Sequence, residues 1–115
     1  MHEVTLAQEI VAMVEAAAQR EHFTEVARLR LEAGSLAGIE VGALRFALES
    51  MVGGTCLAQA AITIDEPQAI GWCSHCATEV PMQQRMDPCP RCQNYPLRPV
   101  SGHALKVLDL IVRDT

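Results

Sequence analysis

Cys73, Cys76, Cys89 and Cys92 stand as two Cys-x-x-Cys pairs with twelve residues between them, and the chain opens Met1-His2-Glu3. The two groups suit different metal chemistry. A Cys-x-x-Cys turn aims two sulfurs at one point, so two such turns supply the four thiolates of a closed, tetrahedral structural zinc, with Zn–S distances of about 2.3 Å. At the other end, the Met1 amine, the His2 backbone nitrogen and the His2 imidazole form five- and six-membered chelate rings. That near-planar, nitrogen-rich set selects Ni²⁺ or Cu²⁺ over zinc, and the Glu3 carboxylate can fill a remaining position. The cysteine spacing is strongly specific for metal. On residue types alone, an early His-Glu pair is more often just an exposed terminus.

The remaining candidates carry bland readings. His75 lies inside the first cysteine pair, but a closed four-cysteine site needs no fifth ligand, so the expectation is a solvent-facing ring. His22 and His103 have no partners in sequence, and Cys56 reads as a small buried side chain. Pro88 and Pro90 bracket Cys89 and stiffen the second turn. With few apolar residues between the pairs (Val80, Pro81, Met82), the cysteine module is expected to lack a core and to draw most of its folding free energy from metal.

Charge and composition narrow the partners. The net charge is −5, and residues 1 to 70 carry ten acids against Arg20, Arg28, Arg30 and Arg45, a balance of −6. The stretch from 71 to 97 balances at zero, and a zinc held by four thiolates adds about −2. That is not the basic surface that a nucleic-acid backbone requires, and Phe23, Phe46, Trp72 and Tyr95 are too few for base stacking. No stretch reaches the eighteen or so apolar residues of a membrane span, and Glu3, Glu9 and Glu15 stand where a signal peptide would carry early positive charge. The expected location is the cytoplasm. Thiols stay reduced there, so paired cysteines read as metal ligands rather than disulfides.

The elements that must position these groups follow from periodicity. Thr5 and Gln8 match a capping box, and Leu6, Ile10, Met13 or Val14, and Ala17 recur at helical spacing, which predicts a helix over about 5–21. Residues 26–33 alternate strictly, with Ala27, Leu29, Leu31 and Ala33 opposite Arg28, Arg30 and Glu32, as in a half-buried strand. Val41, Leu44, Leu48 and Met51 define a second helix from Glu40 to Val52, stopped by Gly53-Gly54. Residues 57–65 and 104–113 alternate again and predict two more strands. The expected architecture is α+β: two helices on a three-stranded sheet formed by residues 1–69 and 98–115, with residues 70–97 inserted as a zinc ribbon.

The Met1-His2-Glu3 start, Thr5-Leu6 and Gln8, LRLEAGSLAGIE ending at Glu40, FALE in the second helix, and GWCxxC with CPxC together resemble the hydrogenase-maturation nickel metallochaperones (HypA/HybF) across essentially the whole chain. The resemblance implies His2 as the essential nickel ligand with Glu3 nearby, Glu40 able to approach the nickel site, and a structural zinc on the four cysteines. It also implies a nickel-handling GTPase (HypB) and the precursor of a hydrogenase large subunit as partners, with no role for nucleic acid or membrane. Monomer and homodimer stay open. Glu40 has a second adequate role, a negative charge at a helix N-terminus. The expected function is a nickel carrier and not an enzyme: the chain offers neither a Gly-rich phosphate loop nor a nucleophile beside a base. A zinc-ribbon module for nucleic acid or a transcription complex is the alternative, and it lacks the basic, aromatic ribbon it would need. A thiol oxidoreductase would leave the second cysteine pair and the N-terminal motif unexplained.

Overall fold

The computed structural model describes residues 3–113. In chain order the elements are α1 (Glu3–Glu21), β1 (Val26–Ala33), α2 (Val41–Met51), β2 (Ala61–Asp65), β3 (Ala69–Cys73), β4 (Thr78–Met82), β5 (Arg98–Ser101) and β6 (Leu105–Val112). The strands form two three-stranded sheets, ordered β2-β1-β6 and β4-β3-β5. The described residues divide into two compact units. One runs up to Leu31 and adds Ile39–Ile64 and the chain from Val107 onward; the other holds Glu32–Gly38 and Asp65–Lys106.

The first unit follows from its patterns. Helix α1 buries Ala7, Ile10, Val14 and Ala18, an i, i+3, i+4 stripe, and α2 buries Leu44, Ala47 and Leu48. The central strand β1 buries Val26, Leu29 and Leu31, while its exposed Arg30 pairs with Asp109 of β6 at 3.3 Å. These are the two helices and the three-stranded sheet of an α+β fold, each element hiding one apolar side. Three details depart from expectation. Helix α1 begins at Glu3, so Thr5 lies within its first turn and is not the cap. Acid in that first turn favours the earlier start through the helix dipole.

The strand expected over 57–65 starts only at Ala61. Thr55 explains the loss: its hydroxyl donates to the Val52 carbonyl at 2.7 Å and accepts from the Leu57 amide at 3.1 Å. Ala58 and Ala60 then donate to the Thr55 and Leu57 carbonyls, consuming in turns the groups a strand would need. Strand β6 is the third departure. Its burial does not follow the anticipated alternation: Leu105, Val107 and Leu110 are half-buried, while Leu108 and Val112 are 36 % and 38 % exposed on this edge strand.

The second unit takes in more chain than residues 70–97. Strand β3 pairs antiparallel with β4, from Ala69 opposite Met82 to Cys73 opposite Thr78, and antiparallel with β5 on its other side. Strand β5 escaped sequence reading because Pro99 argues against a strand. It is tolerated at a sheet edge beside a register irregularity between Ile70 and Gly71. The expectation that this module lacks a core is also corrected: Leu36, Ala69, Val80, Met82 and Leu97 bury together with Cys73 and Cys89. Three of those five apolar residues lie outside the cysteine-bounded segment, where spacing alone did not look for them. The backbone closes this unit tightly: a side chain on Gly34 would strike the Gly102 backbone, and one on Gly102 the backbone of Ala69 and Gln68. Among the described residues, no helix is long and apolar enough to cross a membrane.

Candidate metal centre

Each cysteine pair sits in a turn that its sequence makes. Cys73 ends β3, and Cys76 lies in the loop that returns to Thr78 of β4. Cys89 and Cys92 occupy the loop before β5, where the Cys89 amide donates to the Asn94 carbonyl and the Gln93 amide to the Cys89 carbonyl, both at 2.8 Å. The residue after the second cysteine of each pair has a positive φ, 54° at Ala77 and 66° at Gln93. That left-handed step turns the chain back so that both sulfurs of a pair face inward.

The four sulfurs lie within 4.8 Å of one another. A regular tetrahedron with Zn–S bonds of about 2.3 Å has sulfur–sulfur edges of about 3.8 Å. Cys73 Sγ and Cys92 Sγ stand 3.6 Å apart, so the set needs only small closure to take such an ion. Nitrogen donors already point at the sulfurs: the Cys76 amide to Cys73 Sγ at 3.3 Å, the Arg91 amide to Cys89 Sγ at 3.4 Å, and Asn94 Nδ2 to Cys92 Sγ at 3.5 Å. Such bonds favour thiolate over thiol. The Asn94 backbone accordingly lowers the Cys92 thiol to about 6, whereas Cys76, donating to Cys92, is pushed up to about 12. A cation entering the cluster would displace the protons that the sulfurs still carry and so complete its ligands. His75 is exposed, consistent with a site needing no further ligand.

The candidate nickel ligands Met1 and His2 lie outside the described residues. Glu3 and Glu40 do not, and the fold brings them together across the intervening chain. The Glu40 amide donates to Glu3 Oε2 at 3.0 Å. Glu40 is the N-cap of α2, its Oε1 accepting from the Gly42 amide at 3.2 Å and its Oε2 from the Ala43 amide. In an ordinary capping box, a Glu or Gln at the third helical position reaches back to the cap's own amide. Here that position is Ala43, which has no such reach, and Glu3 of α1 supplies the missing carboxylate from elsewhere in the chain. No local sequence signal carries that pairing. Sequence reasoning also gave Cys56 no partner, and its amide donates to Glu15 Oε1 at 2.7 Å.

A family model described as "Hydrogenase/urease nickel incorporation, metallochaperone, hypA" matches residues 1–112. The hydrogenase maturation factor HypA of Cupriavidus necator is 49 % identical over 114 residues, covering 99 % of this chain and 96 % of that protein. The HypA of Polaromonas naphthalenivorans is 46 % identical over 114 residues, covering 99 % of each. Among solved structures, the solution structure of the Ni metallochaperone HypA from Helicobacter pylori superposes with a TM-score of 0.70 at 17 % identity, covering 97 % of both chains. A second HypA solution structure gives 0.73 at 17 % identity, covering 98 % of this chain and 97 % of that one. At that identity the structural likeness speaks for the fold alone.

Proposed function

The chain belongs to the HypA family of hydrogenase-maturation nickel metallochaperones, and we propose that it binds Ni²⁺ at its N-terminus and delivers it during maturation of a [NiFe]-hydrogenase. The Met1 amine, the His2 backbone nitrogen and the His2 imidazole form the chelate. Glu3 adds a carboxylate, and Glu40 stands beside it as ligand or hydrogen-bonding neighbour. The observation that carries this reading is the bond between the Glu40 amide and the Glu3 carboxylate. It supports a second carboxylate within reach of the site and ties the start of α1, two residues from the amine, to the start of α2. A carrier must bind without permanence, and a terminal site with few protein ligands serves that better than a closed cage.

Cys73, Cys76, Cys89 and Cys92 hold a structural Zn²⁺, the ion that a closed four-thiolate tetrahedron suits best. The protein acts in the cytoplasm as a carrier and not as an enzyme. It hands its metal on with a nickel-handling GTPase (HypB) and the hydrogenase large-subunit precursor. A nucleic-acid-binding ribbon gains no support, since no observation favours it over the carrier. The decisive test is calorimetry on untagged protein, because an N-terminal tag would remove the amine ligand. His2→Ala should abolish specific Ni²⁺ binding while leaving zinc content and melting temperature nearly unchanged. Equal nickel affinity in the variant and the wild type would sink the reading.

A further inference from the structure

The four sulfurs of the cysteine cluster are not equally placed. Cys73 and Cys89 are buried, 3 % and 0 % exposed, whereas Cys76 and Cys92 are half-buried and reachable from solvent. Hydrogen bonds divide them a second way. Each turn folds a backbone amide onto its first cysteine: the Cys76 amide donates to Cys73 Sγ at 3.3 Å and the Arg91 amide to Cys89 Sγ at 3.4 Å. The second cysteine of a turn receives no such amide and depends on a side chain further on. Asn94 supplies one in the second turn, its Nδ2 donating to Cys92 Sγ at 3.5 Å. At the matching place after Cys76 stands Thr78, which opens β4 opposite Cys73. Among the described residues, no N–H or hydroxyl donates to Cys76 Sγ.

Both properties govern how a metal-bound sulfur reacts. The thiolate is the nucleophile, and an electrophile has to reach it. A donated N–H stabilises the charged sulfur and holds back the electron pair it would give away. Burial silences Cys73 and Cys89, and Asn94 quiets Cys92. Cys76 alone is both reachable and without a donor.

We propose that Cys76 is the reactive thiolate of the four-cysteine centre, the sulfur that a soft electrophile such as hydrogen peroxide attacks first, so that oxidation opens the centre from its first turn. The proposal rests on the structural zinc assigned above. In the first step the Cys76 sulfur gives an electron pair to one peroxide oxygen, the O–O bond breaks and hydroxide leaves, and a sulfenic acid remains. One of the neighbouring thiolates, all within 4.8 Å, then attacks that sulfur, and a second hydroxide leaves as the disulfide forms. Two thiolates have lost two electrons in all, and one peroxide has taken them up. Only two sulfurs are left to hold the metal, which a closed four-thiolate site does not survive.

The test compares rates at the five cysteines of full-length, untagged protein whose zinc content has been measured first. Pulses of iodoacetamide alkylate the reactive sulfur with loss of iodide; a heavy-isotope reagent then labels the rest under denaturing, chelating conditions, and fragment masses give a rate for each cysteine. Cys76 should react about tenfold or more faster than Cys92, the scale on which outer hydrogen bonds act at metal sites. Cys73 and Cys89 should be modified only as zinc is lost. Asn94→Ala removes the bond to Cys92 and should raise the Cys92 rate toward that of Cys76 at unchanged zinc content and unchanged Cys76 rate, a selectivity that mere loosening of the loop would not give. Hydrogen peroxide alone should release zinc and leave Cys76 in the disulfide. Zinc-loaded protein in which Cys92 or a buried sulfur reacts first, or in which Asn94→Ala leaves the Cys92 rate unchanged, overturns the proposal but not the zinc assignment. Protein that holds no zinc on these cysteines overturns both. If Asn94→Ala does not retain its zinc, the order of rates in the wild type decides.

Discussion

Glu40 caps α2 and, in the proposed function, also serves nickel, two roles that single substitutions can separate. Its carboxylate accepts from the Gly42 and Ala43 amides at the start of α2, so Glu40→Ala should lower stability by about 1 kcal/mol, the usual effect of losing a helix cap. A denaturant titration would read this as a shifted midpoint at unchanged slope. Glu40→Gln keeps one oxygen for the cap but loses the charge; if the carboxylate also serves nickel, affinity should drop by about ten- to a hundredfold. Unchanged nickel affinity would confine Glu40 to the cap. Protons separate the two metals in the same way. In the proposed chelate the imidazole and α-amine, with ordinary values near 6.5 and about 7.7 to 8.0, must both be unprotonated to coordinate, so nickel should be held above those values and lost as pH falls through them. Four thiolates closing around one ion should hold it further into acid than a terminal chelate does. Lowering pH from about 8 to 5 while following both metals should release nickel first, and earlier zinc loss would contradict the division of roles.

At the scale of elements, the periodic segments were legible and the contacts that span the sequence were not. Helix α2 and strand β1 announce themselves because each buries one regular stripe. Strand β2 was read too long because the Thr55 hydroxyl redirects the local backbone, an effect that alternation cannot register. Strand β5 was missed because Pro99 masks it. The cysteine cluster was legible because both halves of its signal are local spacings, whereas the Glu3–Glu40 bond joins two positions that no short motif relates. The approach of Gly34 to Gly102 belongs to the same hidden class. Gly34→Ala would drive its Cβ into the Gly102 backbone, which cannot swing aside as a side chain could. Overpacking of this kind costs about 1–3 kcal/mol, and zinc transfer to a competing chelator should quicken accordingly. An unaltered transfer rate would show that this segment moves apart readily.

For the molecule as a whole, the second unit has a real but small core, five apolar residues around two of its cysteines. A unit so small commonly depends on metal for its fold. Cys73→Ala should therefore lose zinc and the chemical-shift dispersion of residues 65–106, while the helical circular dichroism of α1 and α2 survives on their own buried stripes. Full zinc content in that variant would refute the assignment of the cluster. The discontinuous course of the first unit also bears on the order of events at the ribosome. Its sheet needs β6, which is translated only after all of Asp65–Lys106. At about 5–20 residues per second, Cys92 is translated about 1–4 s before β6 is complete. Domains usually mature from the N-terminus onward during synthesis, but here the unit begun first is the last to have all its strands translated.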